Sequence, residues 1–99
     1  NIAASPDGKH IITTLKNEGA VSVWSVDKGR QISKIKTSTN IPHGVVISPD
    51  NKYAFVSVEG VGGEAGKVDV ISLEKLELVD SAEVGKQAGG IAFWKQENL

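Results

Sequence analysis

Apolar residues in this chain fall in short runs between turn residues, with no helical spacing that persists. Ile11-Ile12, Val23-Trp24, Ala54-Phe55-Val56 and Val70-Ile71 are apolar at consecutive positions. A strand that is apolar on both faces is covered on both faces. With β-branched and aromatic residues concentrated between turn signals, the pattern predicts strands near 1–4, 10–15, 20–26 and 31–37, then near 44–48, 53–58, 67–73 and 77–83, with a last one at 90–94. The competing reading for Leu73-Glu74-Lys75-Leu76-Glu77-Leu78-Val79 is a helix, from its propensities.

The predicted strands repeat. Ser5-Pro6-Asp7-Gly8-Lys9-His10-Ile11-Ile12 recurs 43 residues on as Ser48-Pro49-Asp50-Asn51-Lys52-Tyr53-Ala54-Phe55. Val21-Ser22-Val23-Trp24 recurs 47 residues on as Val68-Asp69-Val70-Ile71, which puts Val79 opposite Ile32 and decides for strand there. The four extra residues lie in the loop 59–67. Ser-Pro-Asp-Gly has the residue choice of a type I turn, and Asn51 replaces its glycine because Asn tolerates the left-handed region. Asp27-Lys28-Gly29 does similar work between the third and fourth strands. A β-patterned period of 40–50 residues is the signature of propeller blades. The units are 1–43 and 44–89, followed by 90–99 as the first strand of a further blade. The expected fold is all-β, in four-stranded antiparallel sheets. The chain opens inside a repeat, at a position matching Gly44, and reads as a piece of a longer protein.

Composition narrows the function classes. Hydrophobic content of 39% and charged content of 23% describe a core-forming chain. A net charge of −1 lacks the basic excess that general nucleic-acid binding needs. The densest basic group, Lys28, Arg30, Lys34 and Lys36, reads as a solvated face of an outer strand. The absence of cysteine excludes disulfides and thiolate chemistry. No apolar run approaches the ~20 residues of a membrane-spanning helix.

Several positions together carry a family resemblance: Pro42 and Gly44 before the first strand of the second unit, Ser48-Pro49-Asp50, then Tyr53-Ala54-Phe55-Val56-Ser57, then Val68-Asp69-Val70-Ile71. The chain resembles the YVTN family of β-propeller repeats over essentially its whole length. The resemblance implies a propeller, commonly of seven blades, in a periplasmic or extracellular protein that includes surface-layer components. Val21-Ser22-Val23-Trp24-Ser25 is similar to the strand end of WD40 repeats, but Ser25 follows Trp24 and the Gly-His dipeptide is missing. Lactonase-like propellers carry similar turns and, with quinone- or haem-dependent dehydrogenase propellers, form the enzymatic alternative.

Candidate chemistry is sparse. Gly60-x-Gly62-x-x-Ala65 formally matches a dinucleotide fingerprint, but a strand follows it where that chemistry needs a helix N-terminus. In propellers the connections leading into the first and third strands of a blade emerge on one rim. His43, Asn17, Glu18, Glu59 and Glu64 would then share it. A histidine with carboxylates can bind a metal or act as an acid–base pair. The repeat-equivalent of His43 is Gly89, so the fold does not require the imidazole. Asp69, where the first unit has Ser22, reads as a hydrogen-bonded strand position, and Trp24 and Trp94 as packing between blades or along the channel. The expected role is a scaffold presenting rim loops to a ligand or protein, with no cofactor and no catalytic residue assigned in this segment; a purely structural role is the third reading. Two blades cover one interface, so faces carrying residues such as Ile12, Trp24, Phe55 or Ile71 await further blades of the same propeller or further copies.

Overall fold

A computed structural model describes residues 1–60 and 66–85. It holds eight strands: β1 (Ile2–Ala4), β2 (His10–Leu15), β3 (Ala20–Ser25), β4 (Arg30–Lys36), β5 (Pro42–Ile47), β6 (Tyr53–Val58), β7 (Gly66–Ser72) and β8 (Glu77–Gly85). They form two four-stranded antiparallel sheets in the orders β1-β2-β3-β4 and β5-β6-β7-β8. The strand expected at 90–94, with Trp94, lies outside the described residues. Among the described residues no helix is long and apolar enough to cross a membrane.

The two sheets repeat one plan and share one irregularity, while the shifts at Pro42/Val45 and Gly66/Lys67 belong to the second alone. Each has a bulge between its third and fourth strands, at Val23/Trp24 and at the equivalent Val70/Ile71. The tight turn between the first two strands repeats bond for bond. Ser5 Oγ donates to Asp7 Oδ1, the Lys9 amide donates to the same oxygen, and the His10 amide donates to Ser5 Oγ. Ser48, Asp50, Lys52 and Tyr53 do the same. Gly8 and Asn51 both stand at positive φ, 73° and 65°, as the turn chemistry requires. The residues weighed as a helix form a turn followed by β8. Leu76 ends that turn at φ 56°, where the first sheet has Gly29 at φ 64°. Its amide bonds the Ser72 carbonyl as Gly29 bonds Ser25.

Strand alternation decides what lies between the sheets. Ile12 is paired with Val23, and Val21 with Ile35, which puts all four on one face of the first sheet. Val45 is paired with Val56, and Ala54 with both Ile47 and Ile71, which sets a single face of the second. These two faces make one buried cluster. The expectation that Ile12 and Ile71 would lie on open outer faces is corrected here. Both are fully buried, in the layer the two sheets share. The opposite face of the first sheet holds Trp24, 41% exposed, and Ile2, 69% exposed. The opposite face of the second holds the partly buried Val46, Phe55 and Val70. Lys28, Arg30, Lys34 and Lys36 are all exposed, along or beside the outer strand β4, as a solvated face should be.

Candidate functional site

The sheet ends sort the candidate residues. Leu15 pairs with Ala20, and Pro42 with Val58. The turn holding Asn17 and Glu18, the start of β5 with His43, and Glu59 after β6 therefore share one end of the two sheets. His10 belongs to the opposite end, beside the Ser5 turn. Glu64 lies outside the described residues.

His43 owes its position to a bulge. Between the pairs Pro42–Val58 and Val45–Val56, β5 has two residues and β6 has one, Ser57. The extra residue would leave an amide without a ladder partner. Ser57 solves this, because its hydroxyl oxygen accepts the Gly44 amide at 2.9 Å. The backbone at His43 also stitches the sheets together. Its carbonyl accepts Asn1 Nδ2 at 2.7 Å and Thr14 Oγ1 at 3.1 Å, both from the first sheet's side. The half-buried imidazole has its Nδ1 out of solvent with no hydrogen-bond partner. Buried polar atoms without partners are rare. The signal has limited specificity, since His10 Nδ1 is in the same condition.

Beside His43 is a polar cleft of about 140 Å³ lined by Asn1, Thr14, Lys16, Pro42 and His43. Sequence reasoning missed Asn1, Thr14 and Lys16, whose part in the cleft depends on how the second sheet stacks on the first. It also grouped Glu18 and Glu59 with His43, and neither lines this cleft. Glu18 instead pairs with Lys34 of the outer strand. Glu59 joins the inter-sheet connection through its backbone: its amide donates to the Ile41 carbonyl, and its own carbonyl accepts Thr39 Oγ1 at 2.8 Å. Among the described residues no three His, Cys, Asp or Glu side chains group as metal ligands. The chemistry present is that of a small donor-rich recess with a lysine and an imidazole.

The best-satisfied carboxylate lies elsewhere. Asp69 on β7 is fully buried. Its Oδ2 accepts the Ser38 amide and its Oδ1 accepts the hydroxyls of Ser38 and Ser81, each at 2.7 Å. Ser38 lies on the connection between the sheets and Ser81 on β8, so the carboxylate clamps that connection. This agrees with the hydrogen-bonded strand position read from the sequence.

No protein-family model matches the chain. No curated protein matches it either. Among solved structures it is similar to the hydrazine synthase of Kuenenia stuttgartiensis, with a TM-score of 0.75 and 28% identity over 85% of this chain and 24% of that one. It is also similar to a candidate 6-phosphogluconolactonase from Bacteroides uniformis, with a TM-score of 0.68 and 24% identity over 87% of this chain and 27% of that one. The chain thus spans about a quarter of the length of these structures. The two stacked sheets are blades of the propeller type.

Proposed function

We propose that these blades are YVTN-type repeats of a binding propeller, periplasmic or extracellular, that offers the His43 rim to a small ligand or a protein loop. One observation carries this reading. His43 sits on a bulge held by Ser57, its Nδ1 has no partner, and it lines a cleft with Lys16. Bulges commonly re-aim side chains next to functional sites, and rigid sheets carrying rim residues are a usual way to build a binding site. Recognition there would be non-covalent. Lys16 and the imidazole suit a carboxylate or phosphate group.

The enzymatic reading, in which the blades serve a catalytic propeller, draws on the likeness to hydrazine synthase. It would need reacting groups from blades beyond these two.

The test is an NMR titration of the isotopically labelled chain with a panel of acetate, succinate, inorganic phosphate and methylamine. The anions should shift Lys16, Thr14 and His43 in the wild type, and His43→Ala should abolish those shifts. Shifts that cluster away from this rim, or none with any probe, would refute the rim reading.

A further inference from the structure

We propose that Asp7-Gly8, in the first blade's Ser-Pro-Asp-Gly turn, is a latent isomerisation site: the folded turn keeps Asp7 as aspartate, and unfolding lets it convert to isoaspartate.

The dipeptide stands alone in this chain, as the only place where Asp or Asn precedes glycine. Glycine has no Cβ, so its own side chain cannot shield its amide nitrogen. That nitrogen can form a bond to Asp7 Cγ while the protonated carboxyl gives up its hydroxyl, which leaves as water with the amide proton. The product is a cyclic succinimide. Water then adds at either of its carbonyls. Opening at the Asp7 main-chain carbonyl routes the backbone through the side chain and leaves isoaspartate, with no change in mass. Water is the only co-reactant.

Burial does not protect the site. Asp7 and Gly8 are both exposed, and no atom lies within 4 Å of the place a Cβ on Gly8 would take. Hydrogen bonds restrain it instead. The attacking group is engaged, since the Gly8 amide donates to the Ser5 carbonyl at 2.9 Å. The carboxyl is engaged as well. Asp7 Oδ1 accepts Ser5 Oγ at 2.6 Å and the Lys9 amide at 2.9 Å, which draws the group past Gly8 toward the next residue. These bonds, that from Ser5 first, also keep the carboxyl ionised to lower pH than usual, and only the protonated form loses water readily. The Asp7 amide is tied to Asn51 Oδ1 of the second blade at 2.9 Å, which resists the backbone rotation that the attack needs. Isoaspartate adds a carbon to the backbone of the turn and removes one from the side chain. The bonds from Ser5 and Lys9 then cannot re-form, so a chain left unfolded loses this turn.

The second turn is a built-in control. It repeats the side-chain bonds at Ser48 and Asp50. There Asn51 follows the aspartate, and its side chain crowds the amide that glycine leaves open.

The full chain, incubated at mildly acid pH with and without urea, tests the proposal. Isoaspartate is located by electron-transfer fragmentation of its peptides, and circular dichroism checks folding. In urea, isoaspartate should accumulate at residue 7 and lag well behind at residue 50. In the folded wild type the rate at residue 7 should be at least about tenfold lower, because several hydrogen bonds must open together first. Folded Ser5→Ala loses one bond to the carboxylate and should isomerise about fivefold faster than folded wild type. Asn51→Gly should raise residue 50 to the rate of residue 7 in urea and leave it protected when folded, and it decides the matter should Ser5→Ala unfold. Equal rates at residue 7 with and without urea, a folded Ser5→Ala no faster than wild type, or a residue 50 in urea that ignores Asn51→Gly would each overturn the proposal.

Discussion

Ser22 and Asp69 occupy the same place in the two blades, on the third strand, one residue before the bulge pair. They solve the same problem differently. Ser22 is almost fully buried, and its hydroxyl donates to Gln31 Oε1 within its own sheet. Asp69 collects three donors, and two of them come from the connection between the blades. The difference follows from what covers each position. Asp69 lies on the face that meets a neighbouring blade, and the chain arriving from that blade presents an amide and a hydroxyl with nothing else to accept them. A buried carboxylate is affordable only where such donors converge. Ser22 faces the outer side of the first blade, where a single glutamine suffices. The charged strand residue of the second repeat thus marks the face that the connecting chain clamps.

Breaking this contrast should give the largest effect. Asp69→Ala strands the Ser38 amide and two hydroxyls, and should cost about 2–4 kcal/mol of stability. Ser22→Ala should cost about 1 kcal/mol or less. Asp69→Asn is the sharper variant. With its oxygen accepting the Ser38 amide and its NH₂ donating to the Ser38 and Ser81 hydroxyls, which can accept as well as donate, asparagine keeps all three contacts without the charge and should rescue most of the loss. Urea unfolding of the three variants checks this. Equal losses at 22 and 69, or no rescue by asparagine, would mean that the three contacts made by Asp69 do not set the difference between the blades.

The period, the turns and the strand positions were legible because they are written locally. Ser5-Pro6-Asp7 and Ser48-Pro49-Asp50 close their turns with bonds among neighbours in sequence, and such bonds need no knowledge of the fold. The covered faces were not legible. Ile11-Ile12 and Val70-Ile71 are apolar on both sides, so their patterning cannot say which side meets the other blade; only the stacking does. The rim was half legible. Topology gathers Asn17, Glu18, His43 and Glu59 at one end, but Glu18 pairs with Lys34, 16 residues away across two strand reversals. Thr14 and Lys16 enter the cleft because β2 lies beside β5, a contact that no local pattern encodes.

A smaller effect should separate the two Ser-Pro-Asp turns. They are internally alike, yet the second reaches the first: Asn51 Oδ1 accepts the Asp7 amide at 2.9 Å. Asn51 therefore has two tasks, holding φ 65° and bridging the blades. Asn51→Gly keeps the backbone and loses only an exposed bond, so it should cost roughly 0.5 kcal/mol or less. Asn51→Ala also places a Cβ in the left-handed region and should cost about 1–2 kcal/mol. Thermal melts rank the pair; both variants lose the bond to Asp7, so their difference reads the φ 65° requirement alone, and the opposite ranking would show that the left-handed backbone carries no penalty there.

The smallest effect expected concerns the charge on Asp7. Its carboxyl pKa lies below the ordinary 3.8, first because the Ser5 hydroxyl donates to it and next because the Lys9 amide does. The positive charges of Lys9 and His10 act in the same direction, against a slight desolvation. A folded-state pKa below the unfolded one means that the ionised form favours folding. That contribution is complete above pH 3.8 and is lost as pH falls through the lower folded value. The side chain is fully exposed, so water and salt screen the interaction and the change in stability should be slight. The titration itself is the better readout. Followed by carboxyl carbon shifts, Asp7 should titrate below 3.8 in the wild type, and in Ser5→Ala its midpoint should move up toward that value, because the largest cause is gone. Asn51→Gly should leave the midpoint nearly in place, since Asn51 caps the Asp7 amide and not its carboxylate. A midpoint that moves with Asn51 and ignores Ser5 would mean that the contact between blades, rather than the turn's own hydroxyl, sets the charge of Asp7.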